Sequence, residues 1–204
     1  MDDVLRAGVA VYNAGEYHAA HDAWEGHWLD LPKGSDDERF LHGLIQFTAA
    51  VYHARQGNWS GATGLAESAR EYLAALPSTY RGVDLDAVRT SLASLGADPE
   101  RFEREQPTAL TVDGERLTPR DLEFDAAAVA AKVVAGEHAR YDESVVDAGV
   151  EFAREELGSA QTRFITFVMD FAADDVHRDV IYQRLAEHVE RRQQKTSDVT
   201  GLFD

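Results

Sequence analysis

Apolar residues in the first 77 positions recur every three or four residues, which is the period of an amphipathic helix. Turn and terminator signals divide them into four stretches, which predict two antiparallel helical hairpins. The first helix ends at Asn13-Ala14-Gly15 and the second at Pro32. The third begins at a Ser35 capping box and runs to about Gln56, and the fourth extends over residues 59–76.

The two hairpins resemble each other, and both resemble the tetratricopeptide pattern of small and aromatic residues in paired helices. The first hairpin carries this pattern at Gly8, Tyr12, Gly15, Tyr17, Ala20, Trp24 and Pro32. The second carries it at Gly43, Gly57, Trp59, Ala62, Ala66, Ala69 and Pro77. The predicted fold class is therefore all-α, with tetratricopeptide-like antiparallel hairpins.

The rest of the chain also reads as helical. A fifth and a short sixth helix are predicted over residues 85–95 and from Asp98. Residues 110–117 read as a β-hairpin around Asp113-Gly114, and residues 125–135 as a helix. Three further helices are predicted over 142–157, 159–171 and 175–192. We divide the chain into a helical core (1–107), a connecting segment (108–136) and a C-terminal helical module (137–204) whose polar end, 193–204, frays.

The charge of the chain excludes some partners. Lys and Arg number 20 against 37 Asp and Glu, so the net charge is −17. Nucleic-acid binding is not expected, because it needs clustered basic residues. Only three basic residues are lysine: Lys33, Lys132 and Lys195. This composition is typical of a halophilic protein from a salt-rich cytoplasm, and an ordinary acidic protein is the alternative.

We expect the melting temperature to rise between dilute buffer and molar KCl. At about 1 M salt the screening length falls to roughly 3 Å, which removes most of the repulsion among acidic side chains. Thermal unfolding followed by circular dichroism across a KCl series measures this. A melting temperature that stays constant or falls would favour the ordinary acidic protein.

The residue types and motifs that the sequence lacks limit the kinds of site it can form. The chain has no cysteine, which rules out disulfides and thiolate metal sites, so a metal would need histidine and carboxylate ligands. No glycine-rich phosphate loop is present, and we expect no nucleotide cofactor. The N-terminal Met1-Asp2-Asp3 lacks the positive charge of a signal peptide, and no stretch is long enough to span a membrane. The sequence predicts a cytoplasmic protein without a membrane partner.

The second helix carries the candidate chemistry. His21, Glu25 and Trp28 are separated by four and three positions, so at about 100° per residue they share one stripe. The stripe adjoins Trp24, and we expect it to face the hairpin interface. Because burying an unpaired carboxylate costs several kcal/mol, Glu25 should have a partner there. His18 and His27 are expected to point elsewhere.

The third helix supplies further candidates. Its stripe consists of His42, Gln46, Ala49 and His53, which antiparallel packing would turn toward the second helix. Histidine and carboxylate at such spacing can share a divalent cation. We therefore predict the metal ligands His21, Glu25 and His53, and the ligand-binding residues Trp28, Gln46 and His42. If the site is catalytic, metal-activated water would attack a small substrate, with Gln46 orienting it and Trp28 shielding it.

Residues 13–17 and 21–28, which read NAGEY and HDAWEGHW, resemble the HxxxExxW signature of the domain of unknown function family 309 (DUF309). The second conserved block of that family resembles residues 40–46 with His53, Gly57, Asn58, Gly61 and Ala62. The resemblance covers about residues 5–76. It implies an all-helical domain without an assigned activity, with metal binding through His21 and Glu25. Position 42 departs from the pattern, in which glutamine is usual.

Alternatives of other classes stay open. In one, Glu25 accepts hydrogen bonds from His21, His53 or an indole, and the resulting buried network fixes the hairpin register. The protein would then be a tetratricopeptide-like interaction module that binds a peptide or another subunit. In another, the apolar helices of the C-terminal module build a homo-oligomer. The sequence assigns neither a reaction nor a metal.

Overall fold

The computed structural model describes the backbone of residues 1–200 and the side chains of residues 1–196. The chain divides into two compact units, Met1–Leu122 and Glu123–Asp204. This division differs from the boundaries drawn from sequence, because the helix expected in the connecting segment lies in the second unit. Ten α-helices and one two-stranded sheet make up the described part, which confirms the all-α class.

Four helices open the first unit as predicted. They are α1 (Asp2–Asn13), α2 (Tyr17–Leu29), α3 (Asp36–Arg55) and α4 (Trp59–Leu73). Each packs against the next in chain order, as expected for consecutive hairpins with short loops. The Ser35 hydroxyl accepts the Glu38 N–H at the start of α3, and the Asn58 side chain accepts the Gly61 N–H at the start of α4.

Helices α1 and α2 of the first hairpin are in close contact at Gly8 and Trp24. Trp24 is completely buried, and its indole lies directly against Gly8. The indole Nε1 donates to the Leu5 carbonyl, 3.4 Å away. In the second hairpin, Gly43 on α3 similarly makes room for the Leu73 side chain on α4. Both glycines therefore set how closely their helices approach.

The remainder of the first unit covers the hairpins. It contains β1 (Thr79–Tyr80), β2 (Val83–Asp84), α5 (Leu85–Ala97), α6 (Pro99–Arg104) and a short 3-10 helix (Pro119–Asp121). Asn13 anchors the segment between α6 and the 3-10 helix. Its amide donates to the carbonyls of Leu110 and Leu117 and accepts the Leu110 N–H. Together with the Tyr12 hydroxyl, which donates to the Thr108 carbonyl, Asn13 fixes this loop to the end of α1.

The predicted β-hairpin at 110–117 forms its turn but not its strands. Asp113 and Gly114 both have positive φ, as a tight hairpin turn requires. Val112 makes isolated bridges to Glu115 and to Val83. Pairing does not extend beyond these single bridges, and the two named strands lie at 79–84 instead.

The second unit contains four helices. They are α7 (Phe124–Glu137), α8 (Glu143–Glu156), α9 (Arg163–Ala173) and α10 (Arg178–Thr200). The apolar α9 packs against the other three. Helix α10 continues beyond the expected end near residue 192, and residues 201–204 of the expected frayed end lie outside the described residues. Within the described part, none of the helices has the length and apolarity needed to cross a membrane.

The substitution Gly8→Ala should destabilise the protein, because the added methyl group would overlap the buried Trp24 indole. We expect a loss of about 1–3 kcal/mol in the free energy of unfolding. Gly26→Ala is the matched control, since a side chain at Gly26 meets open space and alanine favours the helix by about 0.5–1 kcal/mol. Denaturant unfolding measures both, and equal effects would contradict the close contact.

Candidate functional site

Helix α2 presents one histidine and two carboxylates close together on its surface. His21, Asp22 and Glu25 each offer a ligand atom, and these atoms all lie within 4.8 Å of one another. The His21 Nδ1 is 2.8 Å from the Asp22 Oδ1, a hydrogen-bond distance. We call these three residues the α2 cluster. The sequence pattern predicts two of its members, His21 and Glu25, but not Asp22, which directly follows His21.

The expectation that Glu25 is buried at the hairpin interface is wrong. Glu25 is exposed, and the side chains of His21 and Asp22 are 24% and 39% exposed. Trp24 and the alanines around it fill the interface, and Glu25 lies about 100° further round the helix from Trp24. Glu25 therefore needs no buried partner, and it does not form the buried network considered as an alternative.

The carboxylates of the α2 cluster favour the charged form of His21. The hydrogen bond to Asp22 raises the pKa of His21, and the negative charges of Asp22 and Glu25 act in the same direction, while partial burial opposes them. The two carboxylates of the α2 cluster therefore stabilise a positive charge on the His21 imidazole.

Two aromatic residues extend the surface around His21. The His18 ring stacks on the His21 ring at a centroid distance of 5.9 Å, and Tyr52 of α3 lies 5.4 Å from His18. The His18 Nδ1 is 3.6 Å from the Asp22 Oδ2. The expectation that His18 points away is wrong. The spacing of three residues to His21 and four to Asp22 carries the signal that it shares their face.

His53 is not a member of the α2 cluster. Its Nδ1 lies 2.9 Å from the side-chain nitrogen of Asn58, which lies in the turn between α3 and α4. The Asn58 side chain also caps α4, so His53 is oriented by a residue with a structural task. The structure therefore separates His53 from the other two predicted metal ligands.

Trp28 and His42 come together in a second group of side chains. The His42 ring lies between Trp28 of α2, at a centroid distance of 4.4 Å, and Tyr72 of α4, at 3.8 Å. The Trp28 indole donates to the Glu38 Oε1 at 3.2 Å. We call Trp28, Glu38, His42 and Tyr72 the aromatic cluster. Gln46 is half-buried one helical turn beyond His42.

Glu38 acts differently from the capping residue that the sequence predicts. Its backbone N–H binds Ser35 as expected, but its carboxylate accepts the Gly34 N–H and the Trp28 indole N–H. Glu38 therefore links the loop between α2 and α3 to the aromatic cluster. The sequence does contain a signal for this role: Glu38 and His42 are four positions apart on α3, which makes them neighbours on one helix face.

The surroundings of His42 favour its neutral form. Burial lowers the pKa of His42, and Glu38 only partly opposes this effect. The buried Nδ1 lies 3.7 Å from the Glu38 Oε1, which is longer than a hydrogen bond. Protonation of His42 would therefore place a charge between two aromatic rings.

Both clusters lie largely in a segment shared with a known family. Residues 5–65 match the family model of DUF309, a domain of unknown function. The resemblance seen in the HxxxExxW signature is confirmed for this DUF309 segment, which contains every residue of the two clusters except Tyr72. An uncharacterized protein of Aquifex aeolicus (strain VF5) is 26% identical over 90 residues, which are 44% of this chain and 27% of that protein. The match spans little more than a quarter of that relative.

His21 and His42, which both lie in the DUF309 segment, should affect stability with opposite dependence on pH. His42 has a lowered pKa in the fold, so acidification below about 6.5 protonates the unfolded state first and costs stability. His21 has a raised pKa, so its contribution is complete below about 6.5 and is lost as the pH rises through the folded-state value.

Unfolding free energies of wild type, His42→Gln and His21→Gln across a pH series at constant salt test this. His42→Gln should lose less stability than wild type on acidification. The advantage of wild type over His21→Gln should shrink as the pH rises above about 6.5. For each variant, the difference in unfolding free energy from wild type is followed with pH. If this difference changes in the same direction for both variants, the assigned environments are contradicted.

Proposed function

We propose that the DUF309 segment binds a divalent cation at the α2 cluster, with His21, Asp22 and Glu25 as ligands. The convergence of their ligand atoms within 4.8 Å carries the proposal. Two ligands that each lie roughly 2.0–2.3 Å from one ion are at most about 4.6 Å apart, so only small side-chain movements are needed. Asp22 takes the place that the sequence prediction gave to His53.

The donor set suits a transition-metal ion. One imidazole and two carboxylates are ligands that Zn²⁺ and Mn²⁺ accept, and neither ion requires a thiolate, which this chain lacks. The partial exposure of all three side chains leaves room for water as further ligand. A bound ion would act as a Lewis acid and lower the pKa of that water. His21 would release its proton on binding, so the affinity should fall on acidification.

Calorimetric titration of the metal-free protein with Zn²⁺ and, separately, Mn²⁺ tests the site. We expect one ion per chain for at least one of the metals. His21→Ala and Glu25→Ala should each lower the affinity about tenfold or more, because each removes one of three protein ligands. His27→Ala is the matched control, since His27 lies on the same helix outside the cluster.

His53→Ala separates the two ligand sets. Unchanged affinity supports Asp22 as the third ligand, and a loss equal to that of His21→Ala supports the set predicted from sequence. A folded wild-type protein that binds neither ion would refute the metal site and leave the tetratricopeptide-like interaction module as the better hypothesis. Circular dichroism of every variant establishes that it is folded.

A further inference from the structure

The second unit contains a cavity of about 830 Å³ between the start of α9 and the C-terminal part of α10. Its volume lies within the range of about 300–1,000 Å³ that small-molecule sites occupy. Both walls belong to the same compact unit. The cavity lies outside the DUF309 segment and is independent of the metal proposal.

Positive charge is concentrated in this cavity. Arg163, Arg191, Arg192 and Lys195 line it, together with a single acidic residue, Glu156. The cavity thus collects four of the chain's 20 basic residues and one of its 37 acidic residues. In a chain with a net charge of −17, such a local reversal of sign calls for a specific explanation.

Two of the four cations are already paired. Arg191 forms an ion pair with Glu187 at 3.0 Å, and Arg192 with Glu155 at 2.9 Å. Among the residues whose side chains are described, Arg163 and Lys195 have no ion pair. These two cations are therefore the ones available to a ligand.

The carboxylate in the cavity wall binds the backbone at the start of α9. Glu156 is only 7% exposed, and one of its oxygens accepts the backbone N–H groups of Phe164 and Ile165 at 2.8 and 3.2 Å. The positive end of the α9 dipole offsets its charge. Glu156 thus fixes the first turn of α9, which carries Arg163.

Part of the cavity lining is aromatic. Phe167 and His188 face each other at a centroid distance of 5.2 Å, and the buried Phe164 adjoins them in the lining. Burial lowers the pKa of His188, and the positive charges of Arg163 and Arg191 lower it further. The Glu187 carboxylate acts in the opposite direction.

We propose that this cavity binds a small organic phosphate monoester, with Arg163 and Lys195 contacting the phosphate and the Phe167–His188 face packing against the organic part. A phosphate monoester carries a charge of about −1.5 to −2 at neutral pH, which two free cations balance. A guanidinium binds phosphate through two parallel hydrogen bonds. The cavity is larger than inorganic phosphate alone would fill. The remaining space would hold the organic part of the ligand, in contact with Phe167 and His188.

The test is calorimetric titration of the full chain with phenyl phosphate, inorganic phosphate and benzoate, in chloride buffer free of phosphate and sulfate. We expect phenyl phosphate to bind saturably at one site per chain. Inorganic phosphate, which lacks the ring, and benzoate, which carries a single charge, should both bind roughly tenfold more weakly. Equal affinity for all three probes, or no binding of phenyl phosphate, would overturn the proposal.

Variants locate the binding site. Arg163→Ala and Lys195→Ala should each weaken phenyl phosphate binding roughly tenfold. Arg184→Ala is the matched control, because Arg184 is an exposed arginine of α10 outside the cavity. An equal loss in Arg184→Ala would reveal nonspecific attraction and refute a defined site. Circular dichroism establishes that each variant is folded.

The His188 imidazole gives a second readout that does not depend on affinity. A bound dianion should raise the pKa of His188 measured by NMR titration, because it offsets the neighbouring positive charge. The pKa values of histidines in the first unit should not change. An unchanged His188 pKa under saturating phenyl phosphate would place the ligand elsewhere and overturn the assignment.

Discussion

The contact between Trp24 and Gly8 is the constraint on which the described geometry of the first hairpin depends. The completely buried indole fits against α1 only because position 8 has no side chain. This contact fixes both the distance between α1 and α2 and the rotation of α2 about its axis. With Trp24 turned inward, His21, Asp22 and Glu25 lie toward solvent. The packing of one aromatic residue therefore decides which polar residues of α2 are available for chemistry.

Two of the three histidines predicted to share a site, His21 and His42, lie in opposite electrostatic settings. Hydrogen bonding and nearby carboxylates favour charge at His21, whereas burial between aromatic rings disfavours it at His42. The α2 cluster is thus suited to a cation, while the aromatic cluster joins three helices by packing and by the Glu38–Trp28 hydrogen bond. One sequence signature, HxxxExxW, contributes to both: its histidine and glutamate to the first, and its tryptophan to the second.

Net charge describes the surface as a whole and conceals local departures from it. The acidic composition is the reason for expecting no nucleic-acid partner, since such a partner needs a long basic surface. It does not describe the cavity of the second unit, where the start of α9 and the last turns of α10 bring four cations together. Arg163 is 28 positions away from Arg191 in the chain, so no local sequence window contains this group.

The sequence by itself determined the helical class, most helix ends and the DUF309 resemblance, because helical period, caps and terminators act over a few neighbouring residues. It also identified His21 and Glu25 as neighbours on one helix face. Only the tertiary structure decided that this face is exposed, that Asp22 rather than His53 joins it, and that Trp28 meets His42 and Tyr72. Those outcomes depend on the rotation of each helix, which is set by packing between residues far apart in the chain.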